Sequence, residues 1–560
     1  MPPIPLARLR PALVLALALL AAGPARAQRE GLLDVGSPLS DLLERQAAAG
    51  HLGTSVGLLP ISAAEGAVLL DTLSARAGRG EVALSRADAG LLARYQGRSP
   101  ATAFGRRAPL GLYADGVSPV SYRGDGYAFE ASPLLYLAAG PTRRTATGGR
   151  DGSGLAYQNS RGLRVAGHLG RLFFESRALE NQRRPALLDY SVPRRTTPRL
   201  GFVKLSGGDT YDYFSAEGVV GYRDRFVEAR FGRTRNRWGP GQGTLFLSDY
   251  AAPYDHLQLR ASAGPVRYAS TFARFTTPDR TRIGGDGVLP SKYGAFHQLT
   301  LTVGRVELEA FEAVVFHDDT LNGNRRGFEI GYLNPVIFYR SVESELGSGD
   351  NALIGLGGAV RPVDGVQAYG QVLIDEFVAR TFFEDAWTNK WGLLAGVHAV
   401  DVGLPGLEAR AEYARLRPYL YGHRTEASAY VHYNDVLGHA AGPNASDAAV
   451  FLRYRPSDAV TAALNVARTR RGRDPDSAYV GADPRVPYTE RVSDVAPTLD
   501  GVAQTEWLVE ARLGYEVLPR LVVEGAAVYQ SLDDAERGRD RALTGLLQLR
   551  WGLPFRSERY

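Results

Sequence analysis

From about residue 120 onward the chain alternates apolar and polar positions. Leu407, Ala409, Ala411 and Tyr413 are interleaved with Glu408, Arg410 and Glu412. Trp507, Val509, Ala511, Leu513 and Tyr515 are interleaved with Glu510, Arg512 and Glu516, interrupted only at Leu508 and Gly514. Val450, Leu452 and Tyr454 flank Arg453 and Arg455, while Leu547, Leu549 and Trp551 flank Gln548 and Arg550. A period of two belongs to a strand whose successive side chains point to opposite faces, so each strand has one apolar and one charged face. Two architectures use such strands. In a soluble sandwich the charged face meets water; in a membrane barrel the apolar face meets lipid and the charged face lines the lumen. In the barrel an arginine at Ala411 or Val509 is costly, whereas lumenal Glu412 should exchange for Gln at little cost.

The N-terminal part has a different pattern. Ser37-Pro38 offers an N-cap followed by Pro at the first helical position, with Leu42, Leu43 and Ala47 behind it and Gly50 as a stop. Ser62-Ala63-Ala64-Glu65 is a capping box preceded by Ile61, with Val68, Leu69 and Leu73 on one face. Ser85-Arg86-Ala87-Asp88 opens a third helix through Leu91, Leu92 and Tyr95. Each is too short to persist alone, so they must pack together or on something larger. Further upstream, Arg8 and Arg10 precede the apolar run Pro11 to Ala22, and Ala25-Arg26-Ala27 follows, the layout of a secretory signal peptide cut before Gln28. Nothing later supplies the roughly 18 uncharged residues of a helical span. An exported chain without one is either soluble or a closed barrel. The number of alternating segments and their aromatic ends favour the barrel. The expected division is a signal peptide at 1–27, a periplasmic helical region at 28–110 and a barrel at 111–560. At about 22 to 26 residues per strand and connection, the last part supplies on the order of 16 to 20 strands. Thr145 to Ser153, Gly284 to Pro290 and Arg470 to Pro487 read as surface loops.

Composition narrows the chemistry. The 560 residues contain no Cys, which removes disulfides, thiol catalysis and Cys-ligated metals together. A net charge of +5 without basic clusters among exposed aromatics speaks against nucleic acid. Lys204, Lys292 and Lys390 are the only lysines, so nearly all positive charge is arginine, suited to bidentate contact with carboxylate, sulfate or phosphate. Gly53-Thr54-Ser55-Val56-Gly57 matches a nucleophile elbow, but that motif needs a strand before it and a helix after it, whereas here it follows a helix. Gly239-Pro240-Gly241-Gln242-Gly243 lacks the ending of a phosphate loop and reads as a tight turn. His317-Asp318-Asp319, and Asp474 with Asp476, have no metal-loop spacing and read as solvated loop charges. No cofactor, metal or enzymatic activity is expected.

Two segments combine planar donors with aromatic rings: Arg233, Arg235, Asn236, Arg237 and Trp238, and the stretch Tyr419 to Asn444 with Tyr421, His423, His432, Asn434 and His439. Guanidiniums pair with uronate carboxylates, amides with hydroxyls, and an indole stacks on a sugar face. On these grounds Arg235, Asn236, Arg237, Trp238, Tyr421, His432 and Asn434 are candidates for carbohydrate contact. The alternative for the same residues is a hydrogen-bonded network that fills a wide lumen, and the two can coexist.

The run Arg235-Asn236-Arg237-Trp238-Gly239-Pro240-Gly241 resembles the W-G-P-G segment of the Wzi-type capsule assembly proteins. Further similarity lies in Gly349 to Gly355, in Tyr369-Gly370-Gln371-Val372 with Asp375-Glu376, in His432 to Asn444, and in the early helix pair from Ser40 to Leu73. The resemblance implies an antiparallel outer-membrane barrel of about 18 strands with a small periplasmic α-helical bundle. It also implies a lectin-like role in binding or organising capsular or exopolysaccharide, with outer-membrane lipid around the barrel and polysaccharide export machinery as a further partner. The competing function is a diffusion porin for anionic solutes, because inward arginines make an anion-selective pore.

Overall fold

The computed structural model describes residues 30–97, 102–103, 106–107, 113, 115–147, 152–184, 196–197, 199–206, 210–277, 289–317, 329–334, 338–339, 341–342, 349–376, 378–381 and 384–555. The expected signal segment at 1–27, residues 284–288 and Asp318-Asp319 lie outside them. Eighteen antiparallel strands close into one barrel. They are β1 (Tyr127–Ala146), β2 (Gly152–Leu169), β3 (Leu172–Arg184), β4 (Thr210–Arg223), β5 (Val227–Thr234) and β6 (Tyr254–Ala263), then β7 (Val266–Thr276), β8 (Ser291–Val303), β9 (Val306–Phe316), β10 (Asn351–Val363), β11 (Val366–Glu376) and β12 (Lys390–Val400). The ring is completed by β13 (Leu407–Leu416), β14 (Ala445–Tyr454), β15 (Val460–Arg473), β16 (Val502–Leu518), β17 (Leu521–Asp534) and β18 (Gly538–Trp551). Each strand pairs with its sequence neighbour, and β18 closes on β1 with Trp551 opposite Leu135 and Asp540 opposite Ala146. Closure leaves no sheet edge, the condition for strands in lipid.

The period-two reading holds strand by strand. On β13 Glu408, Arg410 and Glu412 are buried while Ala411 and Tyr413 are exposed. On β16 Glu510 and Arg512 are buried whereas Leu513 is 63% exposed. The charged face is the inner one. There Arg512 donates to Glu524 at 3.0 Å and to Gln548 at 3.3 Å, across the neighbouring strands β17 and β18. Leu508, the break in the pattern, joins Ala449, Ala467 and Val528 in a small inward apolar cluster.

The two mouths differ. At one, tight turns such as 170–171, 264–265 and 304–305 join the strands. Gly264 and Gly304 there have φ of 57°, the left-handed conformation these short hairpins favour. At the other mouth the connections are long, among them 235–253, 417–444 and 474–501. Arg470 to Arg473 belong to β15, so that last connection starts later than the sequence suggests. Likewise Thr145 and Ala146 end β1 and Gly152 opens β2, which shortens the loop read between them.

Three helices, α1 (Pro38–Ala48), α2 (Ala63–Gly78) and α3 (Arg86–Tyr95), close the tight-turn mouth. Each begins where a serine accepts a backbone N–H: Ser37 from Ser40, Ser62 from Glu65, Ser85 from Asp88. Leu39, Leu42, Leu43, Leu69, Leu70, Leu73, Leu91 and Leu92 form their shared core. Val68 is not part of it; it is 61% exposed, and Leu70 takes the inward position. Charge docks the bundle on the barrel. Arg94 donates to Asp458 at 2.7 Å and Glu516 at 2.5 Å, Arg453 to Asp41 at 2.6 Å, and Arg361 to the carbonyl of Ala47 at 2.9 Å. Glu65, expected to complete a capping box, instead faces Arg223, Arg260 and Arg267 at 3.5 to 3.8 Å. No helix among the described residues is long and apolar enough to cross a membrane.

The lumen plug as candidate binding site

An 18-strand wall encloses a lumen wide enough for water unless something fills it. Here connections 235–253 and 417–444 turn inward and fill much of it. Leu245, Phe246 and Leu247 are fully buried, and Phe246 stacks on Phe311 of β9 with centroids 4.7 Å apart. Gly355 of β10 allows that approach, since a Cβ there would lie 2.4 Å from the Phe246 ring. The two connections hold each other through bonds to main-chain carbonyls. Tyr430 donates to the Phe246 carbonyl at 2.7 Å, Tyr421 to that of Leu245 at 3.1 Å, and the Ser248 N–H to that of Leu437 at 2.7 Å.

Wall side chains pin the plug. Gln371 of β11 accepts from the Leu245 N–H at 2.9 Å and the Thr244 hydroxyl at 3.1 Å, while Asp375 accepts from the Tyr421 N–H at 2.8 Å. Glu412 accepts from the N–H groups of Gln242 and Gly243 at 2.7 and 3.0 Å, and from the Tyr369 hydroxyl at 2.6 Å. The glycine-rich turn thus cradles a carboxylate of its own chain, as backbone nests do. Replacing Glu412 therefore cannot be cheap, contrary to the sequence expectation, because it leaves buried donors unsatisfied. The motifs that carry the family resemblance, Gly355, Gln371, Asp375 and the Trp238-Gly239 segment, are the plug and its anchors.

The candidate residues fall into two groups. Asn236, Arg237, Trp238, Tyr421 and His432 are buried. Asn236 donates to the Tyr254 hydroxyl at 3.1 Å and accepts from Gln258 at 3.1 Å. Arg237 and Trp238 pair antiparallel with Leu59 and Leu58, joining the plug to the segment that leads into α2, and the Arg237 guanidinium binds Glu44 of α1. Trp238 packs edge-on against Phe311. His432 accepts from the Thr276 N–H through Nδ1 at 3.0 Å, and its ring lies against Tyr254, Phe275 and Tyr433. That bond needs an unprotonated nitrogen, and burial, with Lys292 and Arg233 nearby, pulls the imidazole pKa down to about 3.

Arg235 and Asn434 are only half-buried. Arg235 donates to the carbonyls of Ala251 and Arg199, each at 2.9 Å. The Arg199 N–H donates to Asp435 at 2.7 Å, and Asn434 accepts from Arg485 at 2.8 Å. Both sequence clusters thus meet through Arg199, a residue sequence reasoning did not single out. Of the other motifs, the Ser55 hydroxyl accepts from the Gly57 N–H at 3.0 Å in a turn, and Asp474 accepts from the N–H groups of Val480, Ala482 and Asp483.

A barrel of this strand number, plugged by its own loops and capped by helices, is similar to a solved outer-membrane protein of Escherichia coli. That protein is Wzi, described as involved in group 1 capsule assembly and as a carbohydrate-binding β-barrel. The match has a TM-score of 0.54 at 14% identity and covers 94% of this chain and 100% of the other. The chain has a Wzi-like fold. Pseudomonas aeruginosa OccK2 matches at a TM-score of 0.41 and 13% identity, over 76% of this chain and 98% of the other. OprD of the same organism matches at 0.41 and 11%, over 77% and 96%. No protein-family model and no curated protein matches the sequence.

Proposed function

We propose that the protein is a non-enzymatic outer-membrane barrel that binds or organises capsular or exopolysaccharide at the cell surface. The observation that carries this reading is the filled lumen: hydrogen-bonded, apolar-cored loops occupy the space a diffusion pore needs, and a docked bundle covers the far mouth. In barrels of this class the tight turns face the periplasm and the long loops face outward. The helices are then periplasmic, where an export complex could meet them, and the long loops present the polysaccharide-binding surface. Arg235 and Asn434, at the edge of the plug, are the candidates placed for contact with a glycan. Asn236, Arg237, Trp238, Tyr421 and His432 act one step back, by holding the loops in place.

The test pairs two measurements on the purified full-length protein. Planar-bilayer recordings should give no large steady conductance, and an array of bacterial surface polysaccharides should show specific binding. Large steady conductance without glycan binding would establish the porin instead.

A further inference from the structure

The side of the lumen away from the plug's apolar core is not filled in the same way. A cavity of about 200 Å³ remains between the inner faces of β1–β4, β16 and β18, the Leu553–Phe555 segment and the Arg199–Leu200 stretch. This is many times the roughly 10–15 Å³ that admits one water. Arg177, Arg183, Arg199, Arg235, Arg512 and Arg550 line it with one lining carboxylate, Glu217; Arg235 pairs with Glu217 at 3.5 Å, and Arg512 pairs behind the wall with Glu510 and, at 3.0 Å, with Glu524. Within this wall Arg177 donates to Asp34 at 3.1 Å and to Glu217 at 2.8 Å. The Phe555 ring lies beneath Arg512 and Arg550, at 5.0 and 5.9 Å. These contacts fix the deep end. Arg183 and Arg199 stand near the long-loop mouth and are half-buried.

The arrangement follows from the strand period. Arg177, Leu179, Asn181 and Arg183 are alternate residues of β3, and all four face the cavity. Tyr213, opposite Asn181 on β4, and Tyr136 of β1 add aromatic rings. A low-dielectric wall lined predominantly by one sign of charge focuses potential and concentrates the opposite sign. Guanidiniums recognise carboxylates in bidentate fashion, amides take hydroxyls, and tyrosines offer flat faces.

We infer that this cavity binds an acidic saccharide unit, a carboxylate-bearing sugar ring that enters from the long-loop mouth. The inference rests on the proposed polysaccharide role for the source of the sugar, and on the cavity for its charge. Inorganic oxyanions share the guanidinium chemistry but not the ring contacts, so the two sources can be told apart.

The test is calorimetric titration of the full-length protein in detergent with oligogalacturonate, with a neutral oligosaccharide of equal length, and with sodium sulfate. The expected result is binding of the uronate oligomer alone, weakened roughly ten- to hundredfold by Arg183→Gln and less by Arg183→Lys. Arg539→Gln, exposed at the outer end of β18, should leave it unchanged. Arg183→Gln protein is first checked for its heat-modifiable gel shift; if it fails to assemble, Arg183→Lys carries the test. Equal uronate affinity in wild type and the Arg183 variants overturns the assignment, as does sulfate binding as tight as that of the uronate. Neutral-glycan binding without uronate binding overturns the acidic site while leaving the polysaccharide role standing. Loss of all glycan binding in wild type removes both.

Discussion

Arg235 and Arg237 are two residues apart on one segment, yet they belong to unlike halves of the lumen. Arg237 is 2% exposed, bound to Glu44 and next to an indole that touches Phe311. Arg235 borders the open, arginine-lined half. On the packed side each polar anchor has a partner within the chain: Gln371, Asp375 and Glu412 all accept from plug backbone. On the open side cationic side chains line a cavity. The contrast teaches that inward charge in a barrel serves two ends. It holds a loop where it binds that loop's backbone, and it lines a cavity where the loops leave space.

The packed half should break most severely at Trp238. Its side chain is fully buried at the junction of plug, wall and N-terminal segment, so Trp238→Ala should cost about 3–5 kcal/mol through lost contacts and a cavity. The readouts are chemical unfolding and bilayer conductance. Lower stability with the appearance of current is expected; wild-type stability would erase the distinction between the halves.

The next effects come from two neighbours on β13. Ala411 points outward, and Ala411→Arg should impair assembly by about 2–4 kcal/mol if the site is near the bilayer midplane. Glu412 points inward, and Glu412→Gln, which keeps one acceptor oxygen and loses the other, should cost about 1–3 kcal/mol. Folding yield into liposomes measures both. Equal tolerance at the two positions would mean that neither face is specialised.

Acid gives a smaller handle. Burial holds His432 near 3, and burial with Lys390 beside it holds His423 near 3 as well. Below the unfolded histidine pKa, about 6.5, the unfolded chain binds the extra proton. Stability from each is therefore present above that value and is lost as the pH falls towards the folded value. At pH 5.5 the loss is about 1.4 kcal/mol per histidine. Asp435 acts oppositely. Burial raises its pKa to about 7, so its contribution is present at low pH and fades as pH rises through 7. Comparing wild type with His432→Gln across pH 4 to 8 isolates the histidine: the variant should lose less on acidification, and parallel curves would contradict the neutral, accepting Nδ1.

The barrel was legible because lipid on one side and charge on the other impose a period of two that runs through β13 and β16 alike. The helices were legible from Ser37, Ser62 and Ser85, which satisfy local N–H groups wherever the bundle docks. The plug was not, because connection 235–253 has no period: the trace of residues that pack on β9 to β11 and then on a second loop obeys no repeat. Val68 was misread for a related reason, since Leu70 competes for the inward position and only the packed bundle decides. For the candidate residues, sequence identifies side chains able to contact a sugar but not which way they face. The same guanidinium suits Glu44 and a uronate equally well, and only the fold assigns Arg237 to the first.

The open half yields the smallest stability effect. Arg183 sits at the cavity wall near the long-loop mouth, half-buried among other guanidiniums. Removing its charge takes away repulsion from like neighbours as well as any attraction, and both terms are screened where the cavity meets water. Arg183→Gln should therefore shift unfolding by no more than about 0.5 kcal/mol, within the range of ordinary exposed substitutions. Measured beside Trp238→Ala under the same denaturant, it completes the contrast. A loss of several kcal/mol would instead make Arg183 an internal fastener like Arg237, and the arginines of that wall would then belong to the scaffold.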